Sequence, residues 1–322
     1  MILPGLSLVE LKKYFKVIIN KRKKILERNG LLKNVKGKYA ILCTLNDKID
    51  KEVIEHAGDS LKIISTYSTG YDHIDINEAT RRGIYVTNTG DILTEATADL
   101  TFGLILSVAR RIPEAQDYLV NRKWIEGWSP DLFLGSNVYG TTLGILGLGK
   151  IGSSVARRAK GFHMKILYHN RTRLDDKIEK KSGVEYVGMD DLFNKSDFLT
   201  IHTNLNKESE NLVDLNYFKK MKPTSFIINT SRGSIINEED LIFSLKNKII
   251  AGAALDVYEN EPLSKKNQLI SMKNVVLLPH IGSATVQTRS NMTEVAVKNI
   301  IDIANGRKSK YIVNKEVNST KK

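Results

Sequence analysis

Residues 142–152 constrain the fold of this chain more than any other stretch, because they read TLGILGLGKIG. The apolar residues predict a buried strand that leads directly into the pattern Gly-x-Gly-x-x-Gly, and residues 153–160 have a helix-forming composition. A second apolar run, at 164–168, predicts another strand. The glycines therefore stand in a strand–turn–helix–strand context, which favours a dinucleotide site over a glycine-rich loop without a ligand.

Each glycine has its own predicted task in that site. Gly147 permits the tight turn, Gly149 lets a pyrophosphate approach the main chain, and Gly152 lets the helix pack closely on the strand. The pyrophosphate would lie at the start of the helix, where Lys150 and Ile151 follow the turn and main-chain N–H groups point toward the ligand.

The turn after the second predicted strand reads Asn170-Arg171-Thr172-Arg173 and bears on the choice of cofactor. Sites for NAD carry Asp or Glu here, about 20 residues after the glycines, to bind the ribose hydroxyls. An amide beside two guanidinium groups and a hydroxyl suits a 2′-phosphate instead, because arginine forms charge-assisted hydrogen bonds with phosphate. The sequence therefore predicts a preference for NADP(H). The alternative is that one arginine stacks on adenine and NAD(H) is also used.

Composition limits the compartment and the partners. The chain has 322 residues and one cysteine, so it forms no internal disulfide, which is typical of a reducing cytoplasm. Its net charge of +13 comes from lysines spread along the sequence, with small clusters at 21–24 and 321–322, and it has no nucleic-acid-binding signature. No membrane-length apolar run or signal peptide is recognised, and the histidines lack metal-ligand spacing. We therefore expect a cytoplasmic protein that binds no nucleic acid, membrane or metal.

Predicted strands alternate with predicted helices along most of the chain, which indicates an α/β fold with doubly wound parallel sheets. A long apolar helix at 96–111 links two such units, and the last predicted helix, 286–305, is expected to return to the first unit. The pattern also allows a short strand at Phe15–Ile19. The predicted domains are a first domain at 1–95, completed by 287–322, and a dinucleotide-binding domain at 96–286.

Three polar residues each follow or end an apolar stretch in the second half of the chain. Arg232 follows Ile-Ile-Asn-Thr-Ser, Glu261 lies in Asp-Val-Tyr-Glu-Asn-Glu-Pro, and His280 follows Val-Val-Leu-Leu-Pro. A single histidine in such a place is usually structural, but three such residues in one nucleotide-binding unit are a less ordinary coincidence. Arginine can bind a carboxylate and polarise a carbonyl, while histidine donates a proton and glutamate orients it. The set fits the reduction of a 2-keto acid.

With these residues in view, the chain resembles the D-isomer-specific 2-hydroxyacid dehydrogenases over nearly its full length. Two departures stand out: only Met1–Leu3 precede Pro4, where the family has a complete first strand, and Asn204 stands where the family often has proline. Besides the glycine motif, the stretches that carry the resemblance are ISTYSTGYDHID (64–75), TEATADL (94–100), NTSRG (229–233), DVYENEP (256–262) and LPHIGSAT (278–285).

The resemblance implies two Rossmann-like domains with the active site in the cleft between them, and it identifies the domain at 1–95 and 287–322 as the substrate-binding domain. It also implies a homodimer in which the helix and loop at 96–140 cross to the partner. By position, Arg232, Glu261 and His280 match the family's catalytic arginine, glutamate and histidine, with the histidine as proton donor.

The other candidate site residues are also assigned by their position. Thr69 and Gly70 match the loop whose N–H groups bind the substrate carboxylate, and Asp256 matches the residue that holds the nicotinamide amide. The remaining candidates are Ser68, Trp128 and Ser283 for the substrate and Thr97, Thr203, Asn204, Thr230, Ser231 and Gly282 for the cofactor.

Within the family, the branch of glyoxylate and hydroxypyruvate reductases is most similar. Trp128 matches an aromatic residue that there reaches the partner's pocket, and the turn at 170–173 matches NADPH-preferring members. The resemblance implies NADPH-dependent reduction of glyoxylate or hydroxypyruvate to glycolate or D-glycerate. The choice between these substrates stays open, as do a D-lactate-type or 3-phosphoglycerate-type dehydrogenase and a dinucleotide-sensing protein related to corepressors.

Overall fold

The computed structural model describes residue 4 and the ranges 7–20 and 25–318. The chain forms two compact units, the first within Met1–Leu93 and Ser283–Lys322 and the second of Thr94–Gly282. Each unit is built around its own parallel sheet. The predicted features that lie outside the described residues are the shortened first strand at 1–3 and the basic clusters at 21–24 and 321–322.

The first unit contains a small parallel sheet whose strands are joined by helices. Its elements up to residue 93 are α1 (Ser7–Tyr14), α2 (Arg28–Val35), β1 (Ala40–Cys43), α3 (Lys51–Ala57), β2 (Ile63–Thr66), α4 (Ile76–Arg81) and β3 (Tyr85–Thr87). The strand order is β1-β2-β3, and Ile41, Ile64 and Val86 stand side by side across the sheet. Because parallel neighbours need crossover connections, α3 and α4 join consecutive strands.

The strand predicted at Phe15–Ile19 is wrong. The residues after α1 have no regular structure up to residue 20 and pair with no strand in the described part of the chain. Phe15 and Val17 do pack against Leu11, while Ile18 is 60% exposed. Partly buried and exposed side chains alternate over residues 15–19, but this alternation does not by itself supply a neighbouring strand for the main chain.

The second unit contains a larger parallel sheet with helices on both faces. Its helices are α5 (Thr94–Ala109), α6 (Ile112–Val120), α7 (Lys150–Lys160), α8 (Asp176–Ser182), α9 (Met189–Lys195), α10 (Leu215–Phe218) and α11 (Glu238–Lys246). Its strands are β4 (Thr142–Leu146), β5 (Lys165–His169), β6 (Glu185–Tyr186), β7 (Phe198–Ile201), β8 (Phe226–Asn229), β9 (Gly252–Leu255) and β10 (Val275–Leu277). The strand order is β10-β9-β8-β7-β4-β5-β6, and every pair is parallel.

Successive residues of each strand in the second unit face opposite sides of the sheet. Ile228 belongs to the cluster that includes residues of α5 and α7, whereas its neighbour Ile227 belongs to the cluster with residues of α9, α10 and α11. Both side chains are fully buried, and such burial contributes about 1.5–3 kcal/mol for each. The predicted doubly wound parallel sheet is confirmed.

The last long helix, α12 (Val286–Ala304), returns to the first unit and covers its sheet. Val297 and Ile300 pack against Ile63 of β2, while the next residue, Ile64, faces the cluster that contains residues of α2, α3 and α4. The Ser65 hydroxyl donates a hydrogen bond to the Ala296 oxygen at 3.0 Å. The small sheet is therefore also covered on both faces.

The described part of the chain offers no helix that is both long and apolar enough to cross a membrane. The described residues also include no group of three or more His, Cys, Asp or Glu side chains that could hold a metal ion. Cys43 is buried in β1, and burial raises the pKa of its thiol to about 12. Because the thiolate is the reactive form, Cys43 is a core residue.

Candidate active site

The glycine turn follows β4 where the strand order of the second unit reverses, between β4 and β7. Ligands of open α/β sheets bind at such a switch. Gly147 has a φ of 98°, and a Cβ there would lie 2.7 Å from the Thr203 nitrogen. A Cβ on Gly152 would lie 2.4 Å from the Gly147 oxygen, whereas one on Gly149 would have no neighbour within 4 Å. The turn therefore packs tightly on neighbouring main chain at Gly147 and Gly152 and leaves open space at Gly149.

Helix α7 starts at Lys150 directly after this open glycine. Gly149 is its N-cap residue, and no side chain caps the helix. The first turn of a helix carries main-chain N–H groups without partners inside the helix, at the positive end of the helix dipole. An open glycine cradle in front of such a helix start fits the pyrophosphate of a dinucleotide.

The turn after β5 is tied to the glycine turn. Asn170 Oδ1 accepts a hydrogen bond from the Leu148 N–H at 2.6 Å. Arg171 and Thr172 are both exposed, and the Arg171 guanidinium lies 3.1 Å from the exposed Glu208 carboxylate. Such an exposed ion pair contributes little to stability, so a phosphate can compete for Arg171 at small cost.

Arg173 has different surroundings, because it is held by a buried carboxylate. Its Nε and Nη2 donate to the two oxygens of Glu179, both at 2.8 Å, and the Tyr168 hydroxyl donates to Glu179 Oε1 at 2.6 Å. Arg173, and then Tyr168, lower the pKa of Glu179 to about 2. Glu179 was not predicted from the sequence. The available signal is an acidic residue in a helix six positions after an arginine.

Arg232 lies just beyond β8, and a buried amide holds its main chain. The Asn229 side chain donates to the Arg232 oxygen at 2.8 Å and accepts from the Ser231 N–H at 3.0 Å. A Cβ on Gly233 would lie 1.8 Å from the Tyr258 carbonyl carbon. The glycine after Arg232 therefore lets its loop pack directly on the main chain around Tyr258.

His280 and Glu261 form a hydrogen-bonded pair. Nδ1 of His280 lies 2.7 Å from Oε2 of Glu261, and both side chains are about one-third exposed. Because the carboxylate accepts, Nδ1 carries the hydrogen of this bond, and Nε2 is the ring atom that remains for a substrate. The Tyr258 N–H donates to the other oxygen of Glu261 at 3.2 Å, which fixes the carboxylate.

Asp256, which directly follows β9, holds the segment that carries His280. Its carboxylate is buried and accepts the N–H groups of Ile281 and Gly282, both at 2.7 Å. Its main-chain oxygen accepts the His280 N–H at 2.9 Å. Burial raises the pKa of Asp256, while the two main-chain donors oppose that shift. The residue predicted to hold the nicotinamide amide thus also shapes the histidine loop.

Tyr258 connects the segments of all three polar residues. Its hydroxyl donates to the Leu278 oxygen at 2.8 Å, two residues before His280, and its N–H donates to Glu261. Its main chain packs on the glycine that follows Arg232. Burial raises the pKa of the phenol, which therefore stays a donor. The sequence places Tyr258 in the DVYENEP stretch but does not reveal this role.

Helix α5 brings hydroxyl groups to two of the predicted cofactor residues. The Thr97 hydroxyl donates to the Gly282 oxygen at 3.3 Å, and the Thr101 hydroxyl is hydrogen-bonded to that of Thr230 at 2.9 Å. Thr97 and Thr230 are both buried. The start of α5 is thereby fixed against the ends of β8 and of the histidine loop.

Two other predicted cofactor residues are joined across β7 and β8. The Ser231 hydroxyl donates to the Thr203 oxygen. Asn204 is exposed, and its main-chain oxygen accepts from the Ser209 hydroxyl at 2.7 Å. Hydrogen bonding by Ser209 therefore orders the loop in which Asn204 replaces the proline common in the family.

The predicted substrate loop follows β2 in the first unit. The Ser68 hydroxyl donates to the Gly70 oxygen at 2.6 Å, and the Thr69 hydroxyl donates to the Gly90 oxygen at 2.5 Å. Within the described chain, the main-chain N–H groups of Thr69 and Gly70 donate to no protein acceptor. Two adjacent donors of this kind can bind a carboxylate.

The last two candidates are Ser283, which directly follows Gly282 in the chain, and Trp128. Ser283 belongs to the first unit and precedes α12. Trp128 is 81% exposed, in the segment between α6 and β4. The same stretch of the second unit carries further exposed apolar side chains, namely Ile112, Leu119, Val120, Trp124, Ile125, Leu134 and Tyr139. Exposed apolar side chains concentrated in one stretch of a chain are typical of an interaction surface.

Comparison with known proteins identifies similar sequences over nearly the full length. Residues 102–282 match the family described as D-isomer specific 2-hydroxyacid dehydrogenase, NAD binding domain. A glyoxylate reductase from Thermococcus litoralis is 46% identical over 316 residues, which cover 97% of this chain and 94% of that protein.

Two solved structures are also similar. A protein from Thermus thermophilus has a TM-score of 0.91 and 38% identity and covers 97% of both chains. An NADPH-dependent glyoxylate/hydroxypyruvate reductase from Sinorhizobium meliloti, in complex with NADP and malonate, has a TM-score of 0.85 and 32% identity. That match covers 98% of this chain and 96% of the other.

Proposed function

Because this chain belongs to the D-isomer-specific 2-hydroxyacid dehydrogenase family, we propose that it reduces glyoxylate or hydroxypyruvate with NADPH as cofactor. The chain is an oxidoreductase of that family and uses a nicotinamide dinucleotide. The substrates are inferred from the names of its relatives, including the reductases from Thermococcus litoralis and Sinorhizobium meliloti. The observation that carries the proposal most strongly is the His280–Glu261 pair, with Arg232 linked to it through Tyr258.

In the proposed reaction, three residues of the second unit act on the 2-keto group. Arg232 binds the substrate carboxylate and polarises the carbonyl oxygen. His280 donates the proton from Nε2 to that oxygen, while Glu261 orients the ring and stabilises its charged form. When bound, NADPH supplies the hydride to the keto carbon. The products are a 2-hydroxy acid and NADP⁺.

We propose that Thr69 and Gly70 of the first unit also bind the substrate carboxylate. Their N–H groups have no acceptor in the described chain, and a carboxylate oxygen accepts such donors in charge-assisted hydrogen bonds. Main-chain donors recognise the carboxylate that all 2-keto acids share. These donors therefore do not distinguish glyoxylate from hydroxypyruvate, which differ by one hydroxymethyl group.

The preference for NADPH is supported by the turn after β5. Position 170 carries the neutral amide of asparagine where NAD sites carry a carboxylate, so a 2′-phosphate meets no negative charge there. Arg171 is exposed beside an exposed glutamate, and Arg173 is fixed by Glu179 with about half of its side chain exposed. A phosphate at this turn would therefore be bound by one flexible and one oriented guanidinium.

A cytoplasmic homodimer is the proposed assembly. The exposed apolar side chains around Trp128 form a surface that a second copy can cover, and the family resemblance assigns this helix and loop to the dimer contact. A cavity of about 840 Å³ lies beside this segment, lined by residues such as Tyr118, Phe133 and Met272. None of the predicted substrate or cofactor residues lines that cavity.

An absorbance assay of NADPH and NADH oxidation tests the proposed function directly. Glyoxylate, hydroxypyruvate, pyruvate and phosphohydroxypyruvate are compared with both cofactors, and the first two with NADPH are expected to give the highest kcat/KM. A preference for pyruvate or phosphohydroxypyruvate would reassign the substrate within the family. Tight NADPH binding without turnover of any of the four would favour a dinucleotide-sensing protein.

A further inference from the structure

We propose that Asn88 is a positioning residue for substrate binding, because it orients the peptide group that joins Thr69 and Gly70. The inference rests on the proposed role of this loop in binding the substrate carboxylate. Asn88 follows β3 in the first unit and is not part of any motif that suggested a site residue. Its contacts connect the substrate loop to the C-terminal part of the same unit.

The side chain of Asn88 bridges two turns. Its Nδ2 donates to the Thr69 oxygen at 2.8 Å, and its Oδ1 accepts from the Gly90 N–H at 3.0 Å. The neighbouring Thr89 N–H donates to the Ser68 oxygen at 2.9 Å. Two successive carbonyl groups of the substrate loop are thus held by the segment 88–90.

These carbonyl bonds fix the direction of the N–H groups that have no acceptor. In a trans peptide the carbonyl and the N–H of one planar unit point in opposite directions. The Ser68 oxygen shares its peptide unit with the Thr69 N–H, and the Thr69 oxygen shares its unit with the Gly70 N–H. Donors from Thr89 and Asn88 on the carbonyl side therefore aim both N–H groups at the opposite side, where a carboxylate can be bound.

The segment 88–90 is itself held from the other side. The Asn299 side chain of α12 donates to the Asn88 oxygen at 3.0 Å, and the Asn88 N–H donates to the Tyr311 oxygen at 3.2 Å. Gly90 has a φ of 62°, and a Cβ there would lie 2.1 Å from the Tyr311 ring. All four polar groups of Asn88 are therefore hydrogen-bonded. Its N–H, main-chain oxygen and Nδ2 have partners outside the turn at 88–90, and its Oδ1 has its partner within that turn.

Asn314 provides a matched control, because it is an asparagine of the same unit that supports β3 instead of the substrate loop. Its Oδ1 accepts from the Val86 N–H at 2.8 Å, and its Nδ2 donates to the Ile84 oxygen at 2.9 Å. Substitution of either asparagine removes hydrogen bonds to the main chain. Only substitution of Asn88 releases the Thr69 carbonyl.

The test compares Asn88→Ala, Asn88→Asp and Asn314→Ala in the full-length protein. Asn88→Asp keeps the acceptor for Gly90 but places a carboxylate oxygen against the Thr69 oxygen. We expect both Asn88 variants to raise the KM for glyoxylate or hydroxypyruvate by about tenfold, the effect of one well-placed hydrogen bond. The Kd for NADPH is expected to stay within about twofold of wild type, since both substituted residues belong to the first unit. Asn314→Ala is expected to lower the Tm without this rise in KM.

Amide hydrogen exchange of Thr89 and Gly90 gives a readout that does not depend on turnover, because their N–H groups donate to the Ser68 oxygen and to Asn88 Oδ1. We expect exchange to be at least about fivefold faster in Asn88→Ala than in wild type and Asn314→Ala, because the loop loses an anchor. Unchanged exchange and unchanged KM in both Asn88 variants would overturn the proposal, as would an equal rise in KM in Asn314→Ala. If the wild-type protein reduces no 2-keto acid, the proposed function fails, and the exchange measurement still decides whether Asn88 orders the loop.

Discussion

Asp256 holds His280 in a left-handed backbone conformation. His280 has a φ of 53°, and its N–H donates to the Asp256 main-chain oxygen at 2.9 Å. The next two N–H groups, of Ile281 and Gly282, donate to the two carboxylate oxygens of Asp256. A left-handed conformation costs a residue other than glycine roughly 1–2 kcal/mol, and it persists where surrounding contacts impose it. The proton donor of the proposed reaction is therefore set in place by a neighbouring strand.

Asp256→Asn is expected to impair this arrangement. The new amide keeps one acceptor but turns a donor toward one of two N–H groups, so one buried hydrogen bond is lost and two donors oppose each other. We expect the free energy of unfolding to fall by about 1–3 kcal/mol and kcat to fall by roughly 10- to 100-fold. Chemical denaturation and steady-state assays measure both. The exposed Asp59→Asn is the control, and a kcat within about threefold of wild type for Asp256→Asn would contradict the role.

His280→Ala is expected to lower kcat by about 100- to 10,000-fold, because general acid catalysis commonly contributes that much. The Kd for NADPH, measured by cofactor fluorescence, is expected to change little, since the variant removes a side chain proposed to contact the substrate. His56→Ala, an exposed histidine on α3, is the matched control and should retain full activity. Near-normal turnover of His280→Ala would exclude it as the proton donor.

Asn170→Asp is expected to move cofactor preference toward NADH. The substitution keeps an acceptor for the Leu148 N–H, so the turn retains its anchor, while the added charge repels a 2′-phosphate and accepts from ribose hydroxyls. The ratio of kcat/KM for NADPH over NADH is expected to fall at least about tenfold, which corresponds to roughly 1.4 kcal/mol. Asn34→Asp, at an exposed asparagine on α2 of the first unit, is the control and should leave this ratio unchanged. An unchanged ratio for Asn170→Asp would show that this turn does not select the cofactor.

The fold and the family could be predicted because their signals are local in sequence. The glycine motif states a backbone requirement at three positions, and at Gly147 and Gly152 the structure shows why a Cβ cannot be placed. The alternation of apolar runs with helical segments is likewise a local signal, because the burial of each strand is visible in the apolar residues of that strand itself. Strand order follows less directly, but a parallel sheet with crossover helices leaves few arrangements.

The partners of the site residues could not be predicted, because their contacts depend on how the loops and helices that follow the strands fold back. Asn229 holds Arg232, and Tyr258 reaches the segment of His280, yet neither contact has a signature in the residues themselves. Glu179 binds Arg173 only because α8 folds back on β5. The wrong strand at Phe15–Ile19 shows the same limit, since alternation alone does not provide a pairing strand.

Val120→Asp is expected to disrupt the proposed homodimer. Val120 is 70% exposed on α6, in the same stretch of exposed apolar residues as Trp128, and a charge there would have to be buried on association. Sedimentation velocity at micromolar protein concentration should show a dimer for the wild type and a monomer for this variant. Ile178→Asp, an exposed apolar position on α8 outside this surface, should remain dimeric. A monomeric wild-type protein would contradict the proposed assembly.

Glu179→Gln is expected to lower the Tm at neutral pH and to make the Tm less sensitive to acid. Arg173 and Tyr168 lower the pKa of Glu179 from 4.5 to about 2. A carboxyl whose pKa is depressed by folding stabilises the folded state above its unfolded pKa, and this contribution is lost as the pH falls through the folded value. The difference in Tm between wild type and variant should therefore be largest above about pH 5 and shrink between about pH 4.5 and 2.

Glu185→Gln is the matched control for this pH dependence, because Glu185 pairs with Lys165 at 2.9 Å but is 56% exposed. Exposed pairs contribute little, so its Tm should follow that of wild type at every pH. Glu179→Gln should also raise the KM for NADPH, because Arg173 loses the carboxylate that orients it beside the proposed phosphate position. A Tm difference that is constant from neutral to acidic pH would contradict the claim that the ionised Glu179 side chain stabilises the fold. An unchanged KM for NADPH would show that the Arg173–Glu179 pair does not contribute to cofactor binding.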